Sequence, residues 1–236
     1  MKPGIYEGMD FDKYLKEPGL SKSAVTKLIV SQAHYDAYIK GEFEPTPDMK
    51  FGSDVDRAIF EPEKPLAEYN LKTKSGQAYH DALHGMLDAL DRCQTASKLL
   101  SGGAAQVSMF WEAENGVMLK GRPDYMRRDW SLFVDYKTTT NSAWFKWRWI
   151  ARDTGADTQA AIAVDGMQEI EGDGFDFIFI VQERKPPYAM AIYEAPPAML
   201  ESGRAKYRKA IPLYKEYWED GICRGYPDEV IENLEW

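Results

Sequence analysis

Cysteine is scarce in this chain, since Cys93 and Cys223 are the only two among 236 residues. No second ligand stands near either of them at the spacing of a metal site, and four cysteines for an iron–sulfur cluster are not available from this chain. Residues 1–5 also lack the apolar stretch of a signal peptide. We therefore expect two free thiols in a reducing compartment and a cytoplasmic location.

Long apolar runs are absent as well. No stretch of about 18 apolar residues occurs, so we expect no membrane span and no membrane partner. There is also no fixed-period repeat, no low-complexity tract and no phosphate-binding loop of the helicase type. Hydrophobic residues make up 44% and charged residues 28%, which is typical of a globular chain. The length predicts one domain over residues 1–236 with a core of ordinary size.

An excess of positive charge is missing too, because the net charge is −9. That balance argues against broad nucleic-acid binding, which needs Lys and Arg for phosphate contacts. The charge is unevenly distributed, however: residues 119–152 hold eight Lys or Arg and three Asp, and residues 184–209 hold six Lys or Arg and two Glu. This basic strip can direct a polyanion to one groove, or it can be ordinary solvated surface.

Helical and strand patterns alternate along the chain, which predicts an α/β (α+β) fold with a central sheet flanked by helices. Strands are predicted at 106–111, 117–125, 132–138, 175–181 and 188–193, with a hairpin turn at Asn115-Gly116. Helices are predicted at 24–39, 51–60, 77–100, 143–167 with a break at Gly155, and 197–218.

Two carboxylates and one lysine form the most informative pattern. Asp135 and Lys137 share a face of their predicted strand, because alternate strand residues point the same way. If residues 129–130 form a tight turn, Asp124 lies opposite Asp135 and points to the same side. All three groups would then converge on one spot.

That convergence suits phosphodiester hydrolysis. Close carboxylates repel each other unless a cation lies between them, and hard oxygen ligands favour Mg²⁺ or Mn²⁺. Such a metal acidifies a bound water, and Lys137 can orient or help deprotonate that water and stabilise the developing charge. The alternative is an ordinary ion pair between Asp135 and Lys137 on an exposed strand.

The segment Pro123-Asp124 followed by Asp135-Tyr136-Lys137 resembles the PD-(D/E)XK nuclease signature. The rest of the chain resembles the RecE-like exonuclease domain of phages and prophages, through motifs that occur in the same order. These motifs are Pro3-Gly4-Ile5-Tyr6, Gly19-Leu20-Ser21-Lys22-Ser23, Ser31-Gln32-Ala33-His34-Tyr35, Phe51-Gly52-Ser53, Glu61-Pro62, Lys120-Gly121-Arg122-Pro123-Asp124-Tyr125, Val134-Asp135-Tyr136-Lys137-Thr138-Thr139, Gln159-Ala160-Ala161, Pro186-Pro187-Tyr188 and Gly225-Tyr226-Pro227.

This resemblance implies a restriction-endonuclease-like core with a mixed sheet. It implies that Asp124, Asp135 and the carbonyl of Tyr136 bind Mg²⁺ or Mn²⁺, that Lys137 is the catalytic lysine and that Gln159 belongs to the site. It further implies 5′-to-3′ digestion of double-stranded DNA ends in a bacterial host or phage-infected cell, a ring-shaped homo-oligomer, and a RecT-like single-strand annealing partner.

The chain departs from the family pattern at two positions. Asp56 stands where the family usually has a histidine metal ligand, and Ala163 stands where a tyrosine usually follows Gln159 by four residues. We expect Asp56 to bind the metal in place of the histidine, because a carboxylate is a suitable hard ligand. The alternative for Asp56 is a solvated helix residue.

Two other functions are alternatives, and the departures at Asp56 and Ala163 motivate the first of them. The chain can be a DNA-binding protein that has lost cleavage, or an endonuclease or RecB-like nuclease of the same fold. The segment from Trp144 to Arg152 combines tryptophans with Lys and Arg, and can contact unpaired bases and phosphates. We expect at least two of its tryptophans in the core or an oligomer interface.

Overall fold

The computed structural model describes residues 1–42, 44–66, 70–113 and 116–226. The helices are α1 (Phe11–Lys16), α2 (Lys22–Val30), α3 (Gln32–Ile39), α4 (Pro47–Phe60), α5 (Lys74–Arg92), α6 (Gln94–Leu99), α7 (Trp144–Thr154), α8 (Ala156–Glu171) and α9 (Pro197–Asp220). The strands are β1 (Gly4–Tyr6), β2 (Ala104–Ala105), β3 (Ser108–Glu112), β4 (Met118–Gly121), β5 (Tyr125–Arg127), β6 (Leu132–Thr139), β7 (Asp176–Glu183) and β8 (Met190–Glu194).

The central sheet is mixed, as expected, with the strand order β2-β5-β6-β7-β8. Strands β6 and β7 run parallel, and the other neighbouring strands in this sheet are antiparallel. A smaller antiparallel sheet has the order β1-β3-β4. The parallel pair is the buried centre of the sheet, which explains the almost uninterrupted apolar composition of β7.

Helices cover both faces of the central sheet. Val134 and Tyr136 of β6 pack in one core with residues of α4, α5 and α6. Phe133 of the same strand lies in a second core with α7 and α8. A third core joins the other side of α8 to β3, β4, α2 and α9. Helix α8 is thus buried on several sides, which its small alanine side chains permit.

Two predicted helices are each divided in two. The predicted helix 24–39 is interrupted at Ser31, whose backbone is extended and whose hydroxyl accepts a hydrogen bond from the amide of His34 to cap α3. The predicted helix 77–100 is interrupted at Cys93, which is extended between α5 and α6. Hydrophobic periodicity continues across both breaks, so it could not reveal them.

The predicted strand 117–125 is also divided, and its two parts belong to different sheets. Strand β4 pairs with β3, whereas β5 pairs with β6. Pro123 lies between them, where its missing N–H suits a change of partner. The preceding predicted strand begins two residues late, at Ser108, because Gln106 adopts a left-handed conformation with φ 54°. Residues 114–115 of the predicted hairpin turn lie outside the described residues.

The C-terminal half agrees more closely with the predictions. Gly155 separates α7 from α8 with φ 74°, as expected for a helix end in the left-handed region. Strands β7 and β8 and the closing helix α9 all occur near their predicted positions. Among the described residues, no helix has both the length and the apolar character needed to cross a bilayer.

Candidate active site

Asp124 directly precedes β5, at the end of the pairing between β5 and β6. The ladder pairs Tyr125 with Val134, so one further step in register places Asp124 opposite Asp135, as the sequence predicted. The carboxylate of Asp124 then accepts a hydrogen bond from the amide of Tyr136, at 2.8 Å, where a strand would otherwise continue. The loop differs from the predicted two-residue turn, because residues 128–130 form a 3₁₀ turn and Ser131 is left-handed.

Asp135 is fully buried and is held by two side chains. One of its oxygens accepts a hydrogen bond of 2.5 Å from the side-chain amide of Gln159, which lies on α8. The other oxygen forms an ion pair with the ammonium of Lys137, two residues along the same strand. The carbonyl oxygen of the Gln159 side chain is buried and has no hydrogen-bond partner in the described part of the chain.

Helix α4 brings Asp56 to the same place. Gly52 lies close against β6, since a Cβ atom there would be 3.2 Å from the hydroxyl of Thr138. One turn further along α4, Asp56 is close enough for its charge to interact with Asp135 and Lys137. Asp54 points elsewhere and accepts a 2.7 Å hydrogen bond from the hydroxyl of Tyr79 on α5. The structure therefore brings Asp56 to the two other aspartates.

The charges in this cluster are strongly coupled. Burial raises the pKa of Asp56 to about 7, with Lys137 opposing the shift and Asp135 adding to it. Burial and the charge of Asp135 raise the pKa of Asp124 well above its usual range. Burial alone would lower the pKa of Lys137, but the surrounding carboxylates raise it overall. Three carboxylates facing one ammonium leave an excess of negative charge that a further cation can neutralise.

The donor chemistry fits a divalent metal ion. The cavity at these residues has a volume of about 650 Å³, and its described lining contains no His or Cys. Carboxylate oxygens are the ligands that Mg²⁺ and Mn²⁺ prefer. In the residues described, no group of three or more His, Cys, Asp or Glu side chains is placed to hold a metal ion as the side chains stand. The residues thus provide the right kind of ligand, with the Lys137 ammonium now in contact with Asp135.

Lys22 is a cavity residue that the sequence reasoning missed. It is the first residue of α2, and it lines the cavity together with Asp124 and Lys137. Burial lowers the pKa of Lys22 to about 8, and Lys137 lowers it further, while Asp135 and Asp124 oppose this. A cation is unfavourable at the positive end of a helix dipole. That unfavourable position was the available signal in Ser21-Lys22-Ser23, which the sequence analysis uses only as part of a family motif.

Much of the basic strip serves the fold instead of a ligand. Arg127 pairs with Asp129, and the ammonium of Lys120 donates to carbonyls at the end of α1, among them that of Glu17 at 2.7 Å. Arg204 and Lys206 also pair with aspartates, namely Asp165 and Asp157. Of the tryptophans in the segment 144–152, Trp147 is in the core, whereas Trp144 and Trp149 are exposed.

The mixed sheet, with Pro123-Asp124 at a strand junction and Asp135-Tyr136-Lys137 on the neighbouring strand, defines a nuclease fold of the PD-(D/E)XK class. The chain belongs to the family described as a PDDEXK-like domain of unknown function, which matches residues 21–223. No protein of curated function matches the sequence.

Two of the solved structures that are similar to this chain are exonucleases by description. A putative exonuclease from Eubacterium rectale has a TM-score of 0.70 at 15% identity, with 98% of this chain and 97% of that chain covered. A phage-related exonuclease from Haemophilus somnus has a TM-score of 0.36 at 11% identity, covering 88% of this chain and 98% of that chain. The first similarity supports the fold, and the family match gives the chain a PDDEXK-like domain.

Proposed function

We propose that this protein is a metal-dependent exonuclease that degrades double-stranded DNA from its ends, in the 5′-to-3′ direction. The observation that carries the proposal is that Asp56, Asp124 and Lys137 line one cavity, with the buried Asp135 directly behind Lys137. The cavity wall also holds Lys22, so carboxylates for a cation and an ammonium for a phosphate lie together. This pairing is what hydrolysis of a phosphodiester requires.

The metal ion, Mg²⁺ or Mn²⁺, would be held by Asp124, Asp135, Asp56 and the carbonyl of Tyr136, and would supply an acidified water and neutralise phosphate charge. Without a metal ion, the surrounding carboxylates raise the pKa of Lys137 and favour its charged form. We therefore assign Lys137 an electrostatic role, in which its ammonium orients the attacking water and stabilises charge on the phosphate. Gln159 fixes the orientation of Asp135 by its 2.5 Å hydrogen bond.

A catalytically inactive DNA-binding protein is the second candidate, because Ala163 replaces a tyrosine of the family pattern. Ala163 is 1% exposed and packs in the core between α8 and the sheet. It is not among the residues that line the cavity in the described structure. The alanine therefore leaves the carboxylates, Lys137 and Gln159 in place, which favours a working enzyme.

The test is digestion of end-labelled linear duplex by the full chain, in Mg²⁺ and in Mn²⁺, with EDTA as the negative control. We expect nucleotides to be released progressively from the 5′ ends and covalently closed circular duplex to stay intact. Cutting of the circle would identify an endonuclease instead. Binding of linear duplex without any cleavage in either metal would identify a DNA-binding protein.

The same proposal gives the protein a partner. Removal of one strand from its 5′ end leaves a 3′ overhang, which is the substrate of a RecT-like annealing protein. Co-purification of the full chain with such a protein from the same genome, compared with an unrelated annealing protein, tests this association. Absence of any specific association would remove the partner from the proposal without affecting the nuclease assignment.

A further inference from the structure

Helix α7 exposes an unusual number of large aromatic side chains. Trp144 is 62% exposed, Phe145 51% and Trp149 50%. Trp147 and Ala151 of the same helix are buried instead, and Trp147 contacts Phe179 of the sheet at 5.9 Å between ring centroids. The exposed aromatics are therefore not needed to attach α7 to the protein.

Positive charge accompanies these aromatic rings. Arg148 and Arg152 follow Trp144 at four-residue steps, so the three side chains form one row along the helix. Phe145 and Trp149 form the adjacent row, and the guanidinium of Arg148 lies 4.6 Å from the ring of Trp149.

Lys146 is also exposed on α7, while Asp153 near its end is the one acidic residue of the helix. Throughout the described ranges, no carboxylate is within ion-pair distance of Lys146, Arg148 or Arg152. This contrasts with Arg204 and the other paired cations of the basic strip. In a chain of net charge −9, α7 thus carries positive charge that the protein itself does not neutralise.

Helix α7 begins near the end of the strand that carries Lys137. Trp144 follows Lys137 by seven positions, so even an extended chain separates them by at most about 25 Å. Strands β6 and β7 are parallel and end at the same edge of the sheet, and Ser142 is attached there by a 2.9 Å hydrogen bond from its amide to Glu183. The first turn of α7 therefore begins at the edge toward which the strand carrying Lys137 runs.

We propose that the exposed face of α7, formed by Trp144, Phe145, Arg148, Trp149 and Arg152, binds single-stranded DNA. Unpaired bases stack on the two tryptophans, and the arginines contact the phosphates between them. The choice of DNA as ligand rests on the proposed nuclease function. A second copy of the chain is the less favoured occupant. Its surface would have to bury the charged arginines that lie beside the aromatic rings, which is unfavourable without a partner of opposite charge.

The test measures binding of a labelled oligo-dT to the full chain in EDTA, by fluorescence anisotropy and by tryptophan quenching. Because cleavage is absent in EDTA, the result does not depend on whether the protein is a nuclease. Trp144→Ala with Trp149→Ala should weaken binding about tenfold or more and reduce the quenching. Arg148→Glu should weaken binding and reduce its dependence on salt concentration.

Matched controls are available on other surfaces. Trp130 is 45% exposed, but the arginine stacked on it, Arg127, is already paired with Asp129. Trp130→Ala should bind oligo-dT like the parent. Lys98 on α6 is exposed on the opposite side of the sheet, and Lys98→Glu changes the net charge by as much as Arg148→Glu. It should have a much smaller effect on binding.

The proposal is overturned if the parent does not bind oligo-dT, or if the α7 variants bind it like the parent. Unchanged binding together with a smaller mass in light scattering would assign the face to an interface between copies. Equal losses for oligo-dT and blunt duplex would also contradict it, since paired bases cannot stack on the tryptophans. Circular dichroism of each variant establishes that the fold is retained.

Discussion

At the scale of single residues, the charge on Lys137 is central to both stability and activity. Lys137→Ala should lower cleavage of linear duplex by at least about 10²-fold, because the ammonium beside the reacting phosphate is lost. Binding of the same duplex in EDTA should change little. The substitution also leaves Asp135 without its cation, and unpaired buried charge can cost about 3–5 kcal/mol.

Lys137→Gln separates the loss of charge from the loss of the contact with Asp135, since the glutamine amide can still donate a hydrogen bond to Asp135 without carrying charge. It should lose less stability than Lys137→Ala and be as inactive as that variant. If Lys137→Gln cleaves at the parental rate, the electrostatic role assigned to Lys137 is wrong.

Asp56 is the position where this chain differs from the family, and its role depends on metal binding. Asp56→Asn should raise the Mg²⁺ concentration needed for half-maximal cleavage by about tenfold or more, because a charged oxygen ligand becomes a neutral one. Asp56→His should retain more activity, in Mn²⁺ especially, because imidazole suits that metal better than it suits Mg²⁺. A Mg²⁺ and Mn²⁺ titration of cleavage rate measures both.

Asp54 supplies the matched control for Asp56. It lies two residues away on α4, but it is buried and accepts a hydrogen bond from Tyr79. Asp54→Asn should lower thermal stability and leave the Mg²⁺ titration unchanged. Identical titrations for Asp56→Asn and the parent would mean that Asp56 is no metal ligand.

Lys22 illustrates the cost of placing charge in a cavity. Its pKa falls from 10.5 to about 8 on folding. Between these two pH values the unfolded chain binds more protons than the folded one, so the contribution of Lys22 to stability rises with pH through this window. At neutral pH the buried charge opposes folding.

Lys22→Met should therefore raise the free energy of unfolding by about 1–2 kcal/mol at neutral pH, a value reduced to allow for partial exposure. It should also lower cleavage and weaken the affinity for duplex. Urea unfolding at several pH values measures the first effect, and the stability gain should shrink above about pH 8. Equal activity in variant and parent would exclude Lys22 from the site.

At the scale of whole elements, the active site depends on the close packing of α8, which carries Gln159. Gly203 of α9 lies so near α8 that a Cβ atom there would be 2.2 Å from the carbonyl oxygen of Asp157. Gly203→Ala should therefore cost about 1–3 kcal/mol through overpacking. It should also reduce cleavage by moving α8 relative to Asp135.

Gly174 offers a matched control, since a Cβ atom there meets nothing within 4 Å. Gly174→Ala should leave stability within about 0.5 kcal/mol of the parent. Urea unfolding measures both variants. If the Gly203 variant is as stable as the parent, α8 and α9 have enough freedom to separate, and Gln159 is less rigidly placed than described.

The sequence predicts the elements of the site better than their tertiary surroundings. Strand alternation and a hairpin were enough to place Asp124 opposite Asp135, because register in a short antiparallel pair is a local property. The breaks at Ser31 and Cys93 were missed because hydrophobic spacing continues through them. Lys22 was missed because its burial depends on how α2 meets the cavity, which no local pattern contains.

Resemblance, and not local physics, supplied two of the site residues. Asp56 lies far from β6 in sequence, and Gln159 reaches Asp135 only after α8 packs on the sheet. Neither long-range contact follows from periodicity. The roles assigned to Asp56, Asp124, Asp135, Tyr136, Lys137 and Gln159 stay predictions, as does the single domain over residues 1–236.

At the scale of the whole molecule, the charge distribution opposes long-range attraction to DNA. The net charge is −9, and several cations of the basic strip are paired with aspartates. A single protomer therefore depends on local positive charge, such as that of Lys22 in the cavity, to attract duplex. Such a protomer should dissociate readily between cleavage events, particularly as salt concentration rises.

A ring of protomers around the duplex would remove this weakness, because encirclement keeps the substrate at high effective concentration without strong attraction at each contact. Following the family resemblance, we expect a homo-oligomer with a channel wide enough for DNA. Light scattering at micromolar protein should give a mass that is a multiple of 26.9 kDa, with and without duplex. Cleavage of a pre-bound labelled duplex should also continue after excess unlabelled duplex is added. A monomer under both conditions, together with immediate arrest of cleavage by the competitor, would mean that each protomer acts alone. The net negative charge would then limit each protomer to removing few nucleotides per binding event.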